Sequence, residues 1–151
     1  MPSGAAGDDY YMNVVAITYE DNETLCRETV QQNSLAWKVA RRVRITASEC
    51  HALYTAKGDF EGKFARLRGS NFHGTAATKF GTEHEPRARA LYAEMTRATV
   101  HQCGLVVPPL SPWLGCSPDG IVVEHGSRKL LEIKCPVLCK WHISLAMCVR
   151  G

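Results

Sequence analysis

The hydrophobic pattern of the sequence changes near residue 98, and this change constrains the fold more than any other feature. Upstream, residues 23–43 are helix-prone, residues 46–54 open on a capping-box pattern, and residues 75–97 place apolar side chains on one helical face. Downstream, short β-prone segments alternate with Gly and Pro turns at residues 100–107, 114–117, 120–124 and 129–134. Helices followed by a β-meander predict an α/β fold of the α+β kind.

Pro86 interrupts the longest of these helical patterns. A proline within a helix removes a hydrogen bond and bends the helix, whereas a proline in the first turn of a helix costs little. The sequence therefore predicts either a kink at Pro86 or a second helix that begins there.

Composition excludes several classes of protein. The 151 residues suit one domain, and 45% hydrophobic with 22% charged residues is ordinary for a globular chain. No apolar run approaches the roughly 18 residues of a membrane span, and the first residues lack the pattern of a secretory signal. We therefore expect an intracellular protein, nuclear or cytoplasmic, that is neither secreted nor membrane-bound. Seven cysteines, an odd number without a CxxC pair, predict free thiols.

The net charge of +3 conceals an uneven distribution. Residues 1–33 carry one basic and six acidic residues, a net charge of −5, and residues 34–151 carry 17 basic and nine acidic residues, a net charge of +8. An acidic leader before a basic body is compatible with a body that binds a polyanion. A solvated basic face is the alternative.

Carboxylates and one lysine recur in three segments, which are residues 81–85 (GTEHE), residues 117–120 (SPDG) and residues 131–136 (LEIKCP). Glu132 and Lys134 are two apart on a predicted strand and therefore share a face. A turn at residues 125–127 would bring Asp119 towards Glu132.

Such a group suits metal-assisted hydrolysis of phosphodiesters. Carboxylate oxygens hold Mg²⁺ or Mn²⁺, the ion activates a water, and a lysine orients that water or offsets developing negative charge. Glu85 would complete the site from the helix, as a ligand or through a water. Taken singly, Asp-Gly is more often a turn, and Glu-x-Lys on a strand is more often a solvated face.

These three segments resemble the core motifs of the PD-(D/E)xK nucleases. More narrowly, they resemble the YqaJ-type viral recombinase family, which includes the exonuclease of phage lambda. Residues 37–49 (WKVARRVRITASE) and residues 114–120 (LGCSPDG) extend the resemblance upstream of each core motif. It covers about residues 35–136.

The resemblance implies a restriction-endonuclease-like core, in which a central mixed β-sheet is flanked by helices. It also implies a Mg²⁺- or Mn²⁺-dependent DNA nuclease, an exonuclease that acts on duplex ends in recombination or repair. Position by position, the metal ligands would be Asp119, Glu132 and the backbone carbonyl of Ile133. Lys134 would position the attacking water, and Glu85 would be the helix-borne acid.

The same resemblance places Arg41 and Ser48 at positions that bind a terminal 5′-phosphate. Ser48 lies in the first turn of a predicted helix, where free N–H groups attract anions. Arg44 lies just before that helix, and the guanidinium fork suits phosphate oxygens, so we include Arg44 in this phosphate site. An ordinary capping box and a solvated face are the simpler explanations. An oligomer is possible by family resemblance.

The end of the chain departs from the family pattern. Residues 137–151 do not resemble the helix and strand expected there, which predicts an incomplete sheet in which residues 129–134 form an unpaired edge strand. We therefore divide the chain into an acidic, partly disordered leader (residues 1–22), an incomplete YqaJ-like nuclease domain (residues 23–136) and a divergent tail (residues 137–151).

Two alternatives to an active nuclease follow from the sequence. A truncated chain could be a catalytically inactive relic or DNA-binding module, which would bind duplex DNA without metal-dependent cleavage. A zinc module would use Cys135-x3-Cys139, although no second pair has suitable spacing.

Overall fold

A computed structural model of the chain describes residues 4–69, 74–136 and 146–150. In chain order its elements are α1 (Gly4–Tyr10), a π-helical turn (Tyr11–Val15), α2 (Tyr19–Glu28), α3 (Leu35–Arg42), β1 (Ile45–Thr46), α4 (Ala47–Tyr54), α5 (Phe60–Gly69), α6 (Ala76–Thr96), β2 (Thr99–His101), β3 (Leu114–Gly115), β4 (Gly120–Glu124), β5 (Ser127–Lys134) and β6 (Ala146–Arg150). This order confirms the predicted α/β class, with helices before the meander. The elements form two compact units.

The first unit combines Met1–Ser70 with Gly104–Ser117. Its two short strands, β1 and β3, pair in parallel. Thr29, which follows α2 and is fully buried, donates its hydroxyl to the Leu25 carbonyl and accepts from the Leu105 amide at 2.8 Å. A Cβ on Gly104 would lie 2.2 Å from this hydroxyl, so the close approach requires glycine. The end of α2 and the segment before β3 are thereby tied together.

The helix-prone stretch at residues 23–43 forms two helices rather than one. Ser34 caps the N-terminus of α3 by accepting from the Trp37 amide, and Asn33 before it has a positive φ of 88°. A residue in that left-handed region cannot continue a helix. The cap at Ser34 therefore divides residues 23–43, which the loose spacing of apolar residues predicted as one helix-prone stretch.

The second unit combines Asn71–Cys103 with Pro118–Gly151. Its helix α6 begins at a capping box of Thr75 and Thr78 and continues through Pro86. The prediction of a second helix starting at Pro86 is therefore wrong. The helix spans 21 residues and packs against β5.

The sheet of this unit has four antiparallel strands in the order β2–β4–β5–β6. A two-residue turn with positive φ at His125 and Gly126 joins β4 to β5, at the position the sequence predicts. The predicted strand at residues 100–107 is shorter, since β2 ends at His101.

The expectation of an unpaired edge strand is wrong. The β5 strand is not an edge, because β6, from the tail at residues 137–151, pairs with all of Leu130–Lys134. Among the described residues, the expected mixed sheet is divided, since its parallel pair, β1–β3, forms a two-stranded sheet of its own. The division into leader, nuclease domain and tail stays a prediction, and residues 1–3, 70–73, 137–145 and 151 lie outside the described residues.

Five side chains from α6, β4 and β5 form the core of the second unit: Ala88, Tyr92, Val122, Leu131 and Ile133. Along β5 the buried and exposed positions alternate, so Leu131 and Ile133 point into this core and the residues between them point away. Among the helices of the described residues, none has the length and hydropathy of a membrane span.

We predict that Leu131→Ala lowers the free energy of unfolding by about 2–5 kcal/mol, because it empties a fully buried position in the helix–sheet core. Leu130→Ala removes the same atoms from the neighbouring position, where the side chain is 46% exposed, and should cost below about 1 kcal/mol. Urea denaturation of both variants measures the difference, and equal losses would contradict the assigned face of β5.

Candidate active site

Asp119 lies immediately before β4, where the sheet fixes both its backbone and its side chain. Its amide donates to the Leu131 carbonyl at 3.1 Å, and its Oδ2 accepts from the Ile133 amide at 2.5 Å. Both partners are on β5. The carboxylate is therefore held beside the segment that carries Glu132, as the predicted hairpin requires.

Glu132 and Lys134 lie on the face of β5 opposite the core. The Lys134 ammonium donates to Oε1 of Glu132, and this hydrogen bond raises the pKa of Lys134, against the opposing effect of burial. The charges of Glu132, Asp119 and Glu85 act in the same upward direction. The lysine is therefore held protonated next to the carboxylates.

Glu85 reaches the same group from α6. One helical turn further, Arg89 forms an ion pair with Glu85, and its Nε donates to the main-chain carbonyl of Asp119 at 2.9 Å. The Arg89 side chain is 13% exposed. The second unit thus brings together Glu85, Asp119, Glu132 and Lys134, the four residues that the sequence assigns to catalysis.

Burial and mutual repulsion raise the pKa values of Glu85 and Asp119. Burial raises the pKa of Glu85, the charge of Asp119 raises it further, and Arg89 opposes both. Burial also raises the pKa of Asp119, while the hydrogen bond from Ile133 lowers it. Clustered carboxylates that repel one another in this way favour the binding of a cation.

The donor set fits a hard divalent cation. Within the described residues, no three His, Cys, Asp or Glu side chains are gathered closely enough to hold a metal ion by themselves. Mg²⁺ keeps several waters and is commonly bound by one or two carboxylates together with substrate phosphates. Asp119, Glu132 and the carbonyl of Ile133 supply oxygens of this type, with Glu85 in reach of their charge.

Cys135 follows the site on the chain and packs against the core of the second unit. Burial raises the pKa of this thiol, and the charges of Glu85 and Asp119 raise it further. A protonated thiol is a poor zinc ligand. Cys139, the other half of the proposed zinc pair, lies outside the described residues.

A second polar group lies in the first unit, where α3 meets the start of α4. The Arg41 guanidinium donates to Ser48 Oγ and Thr46 Oγ1, both at 3.1 Å, and stacks 4.2 Å above the Trp37 ring. Trp37 in turn donates its indole N–H to Ser117 Oγ at 2.9 Å. Two of the three predicted phosphate-binding residues, Arg41 and Ser48, are therefore in direct contact at a helix N-terminus.

Arg44, the third, lies elsewhere in the first unit. It is 5% exposed, and its guanidinium donates to the carbonyls of Ala40 and Val15 at 2.7 and 3.2 Å. Burial lowers its pKa. A phosphate could reach Arg44 only by displacing these internal bonds, which argues against its predicted role.

Arg68 of α5 contacts the main chain next to the Arg41–Ser48 pair. The sequence assigns Arg68 no individual role. It donates to the main-chain carbonyls of Arg41 and Arg44 and pairs with Glu49 at 3.3 Å. Glu49 is also the capping-box acid of α4, since it accepts from the Thr46 amide at 2.8 Å. Arg68 therefore neutralises the one acid of that first turn.

Sequence reasoning missed the roles of Arg68, Arg89 and the Trp37 indole. The i,i+4 spacing of Glu85 and Arg89 was a readable sign of a helical ion pair. The other two interactions join residues that are far apart in the chain, and no local pattern indicates them.

The chain belongs to the family of the YqaJ-like viral recombinase domain, whose family model matches residues 36–146. This confirms the resemblance drawn from the motifs. No curated protein sequence matches the chain.

Crystal structures of an exonuclease are among the solved structures that resemble the chain. The alkaline exonuclease LHK-Exo from Laribacter hongkongensis is 37% identical, with a TM-score of 0.55, over 69% of this chain and 54% of that chain. LHK-Exo in complex with dAMP is also 37% identical, with a TM-score of 0.53, over 66% of this chain and 52% of that chain. The fold is therefore restriction-endonuclease-like, and the chain spans about half the length of these exonuclease structures.

We predict that Arg68→Gln lowers the free energy of unfolding by about 2–4 kcal/mol, because it leaves two carbonyls and the half-buried Glu49 without their cation. Arg66→Gln on the same helix breaks only an ion pair with Asp59 that is 70% and 65% exposed, and should cost under about 1 kcal/mol. Denaturant titration compares the two, and similar losses would refute the structural role of Arg68.

Proposed function

We propose that the chain is a metal-dependent DNA nuclease domain that hydrolyses phosphodiester bonds, with Mg²⁺ or Mn²⁺ as cofactor and duplex DNA ends as substrate. The observation that carries this proposal is the hydrogen bond from the Ile133 amide to the Asp119 carboxylate, because it places Asp119 beside Glu132 and Lys134. Membership of the YqaJ-like family and the likeness to an alkaline exonuclease support the same reaction.

The cation would be held by Asp119, Glu132 and the carbonyl of Ile133, and when bound it would activate a water and stabilise charge on the phosphate. Two side chains of the site, Lys134 and Glu85, would assist this chemistry. Lys134 keeps its proton through its contact with Glu132 and is available to orient the water or to offset charge on the phosphate. Glu85 adds a further acid from the helix.

Arg41 and Ser48 would bind the terminal 5′-phosphate of the DNA. Burial lowers the pKa of Arg41 without removing its charge, since a guanidinium stays protonated in proteins. The Trp37 ring and the two hydroxyls orient its fork, and Ser48 lies in the first turn of α4, where free amides attract anions. Binding of a terminal phosphate by these two residues would favour a DNA end over an internal position in the duplex.

We extend the proposal to a role in recombination or repair, inside the cell, and to assembly as an oligomer. The chain spans about half the length of LHK-Exo, and that comparison therefore supports the nuclease reaction of the domain rather than these three properties. They rest on family membership rather than on a contact.

Cleavage of linear duplex DNA tests the reaction. With Mg²⁺ or Mn²⁺, Asp119→Ala and Lys134→Ala should each lower the rate by about 100-fold or more, because they remove a cation ligand and the ammonium at the phosphate. Lys129→Ala on the same strand, whose partner is Glu124, should keep the parent rate. Chelation with EDTA should abolish cleavage, and Mn²⁺ should restore it.

Equal rates in the parent and both site variants would contradict the mechanism. Salt-dependent duplex binding without any metal-dependent cleavage by the parent would favour the alternative of an inactive DNA-binding module.

Preference for a 5′-phosphate tests the Arg41–Ser48 contact. Arg41→Lys and Ser48→Ala should each reduce the preference for 5′-phosphorylated over 5′-hydroxyl duplex ends by about tenfold, because the first removes the guanidinium fork and the second removes a hydroxyl at the phosphate. Arg42→Lys, the exposed neighbour on α3, should leave this preference unchanged. A preference that survives in both variants would locate the phosphate elsewhere.

A further inference from the structure

We propose that Arg89 is a positioning residue that sets the placement of Asp119 relative to Glu85. The proposal deepens the proposed function and rests on it, since it concerns the same acids. Arg89 is not among the residues that the motifs assign to the site.

The guanidinium of Arg89 joins two elements through two separate hydrogen bonds. Its Nε donates to the main-chain carbonyl of Asp119 at 2.9 Å, and its Nη2 pairs with the carboxylate of Glu85. One end of the planar fork thus reaches the turn before β4, and another reaches the helix-borne acid. A lysine has no second donor in this fixed geometry and could replace only one of the two bonds.

The packing of α6 also fixes the backbone position of Arg89. Ala88 beside it is 4% exposed and Tyr92 one turn later is 8% exposed, and both belong to the core that seats α6 on the sheet. Because α6 is packed against the sheet, the backbone from which the Arg89 side chain extends has little freedom to move. The hydrogen bond from Arg89 therefore sets the position of the Asp119 carbonyl. The 13% exposure of the side chain adds to this restriction.

The sheet holds the same turn from its other side. The Asp119 amide and carboxylate both bond to β5, through Leu131 and Ile133. Three groups of one residue are therefore fixed, and only the bond to its carbonyl comes from the helix. Without Arg89, the Asp119 carbonyl would lose its bond to α6, and the Asp119 carboxylate would be held less precisely.

The test compares Arg89→Gln and Arg89→Lys with Arg87→Gln, an exposed arginine on the same helix. The first readout is amide hydrogen exchange at Ile133 in the metal-free protein, since this amide donates to Asp119. We expect exchange about tenfold faster in Arg89→Gln, an intermediate value in Arg89→Lys and the parent value in Arg87→Gln.

The second readout separates kcat from KM on linear duplex DNA with saturating Mn²⁺. Misplacement of about 1 Å in a catalytic group lowers rates by about 100-fold. We expect Arg89→Gln to lower kcat by this order while KM for DNA stays within about threefold, and Arg89→Lys to recover part of the loss.

Several results would overturn the proposal. Parent-like exchange at Ile133 in both Arg89 variants would do so, as would faster exchange spread evenly over β4 and β5, because Arg89 would then stabilise the whole sheet. An unchanged kcat, or equal changes in kcat and KM, would do the same. If the parent does not cleave DNA, the proposed function fails, and exchange at Ile133 still decides whether Arg89 holds the turn.

Discussion

The pairing register of β4 and β5 is the constraint on which the candidate site depends. Gly120 lies opposite Leu131, so the ladder continues to Asp119 and its amide still bonds to β5. A shift of one residue would turn Leu131 out of the core and Glu132 into it. The alternation of apolar and charged residues along β5 therefore disfavours any other register. The same burial that stabilises the sheet therefore aligns the carboxylates.

Charge balance is the second constraint on the site. Burial and mutual repulsion raise the pKa values of Glu85 and Asp119, and two cations, Arg89 and Lys134, form ion pairs with Glu85 and Glu132. Removing the protons without a counter-charge would be costly in such surroundings. Arg89 and Lys134 thus compensate part of the negative charge of the site, and the remaining negative charge favours the binding of a cation.

The contacts of three arginines in the first unit also differ. Arg44 and Arg68 direct their guanidinium groups at main-chain carbonyls, and Arg68 also meets Glu49. Arg41 is held by hydroxyls and a ring, in a contact that a phosphate could join. The net charge of +8 in residues 34–151 therefore exceeds the charge available to a nucleic acid, because part of it stabilises the fold.

The sequence by itself determined the α/β class, the capping box at residues 46–49, the turn at residues 125–127, the face of β5 that carries Glu132, and the family. Each depends on residues close together in the chain or on a motif read as a whole. Only the tertiary structure decided that α6 continues through Pro86, that β6 covers β5, that Arg44 is buried and that Arg89 bonds to the Asp119 carbonyl. These outcomes depend on contacts between distant residues, where packing against a core or a second strand outweighs local preference.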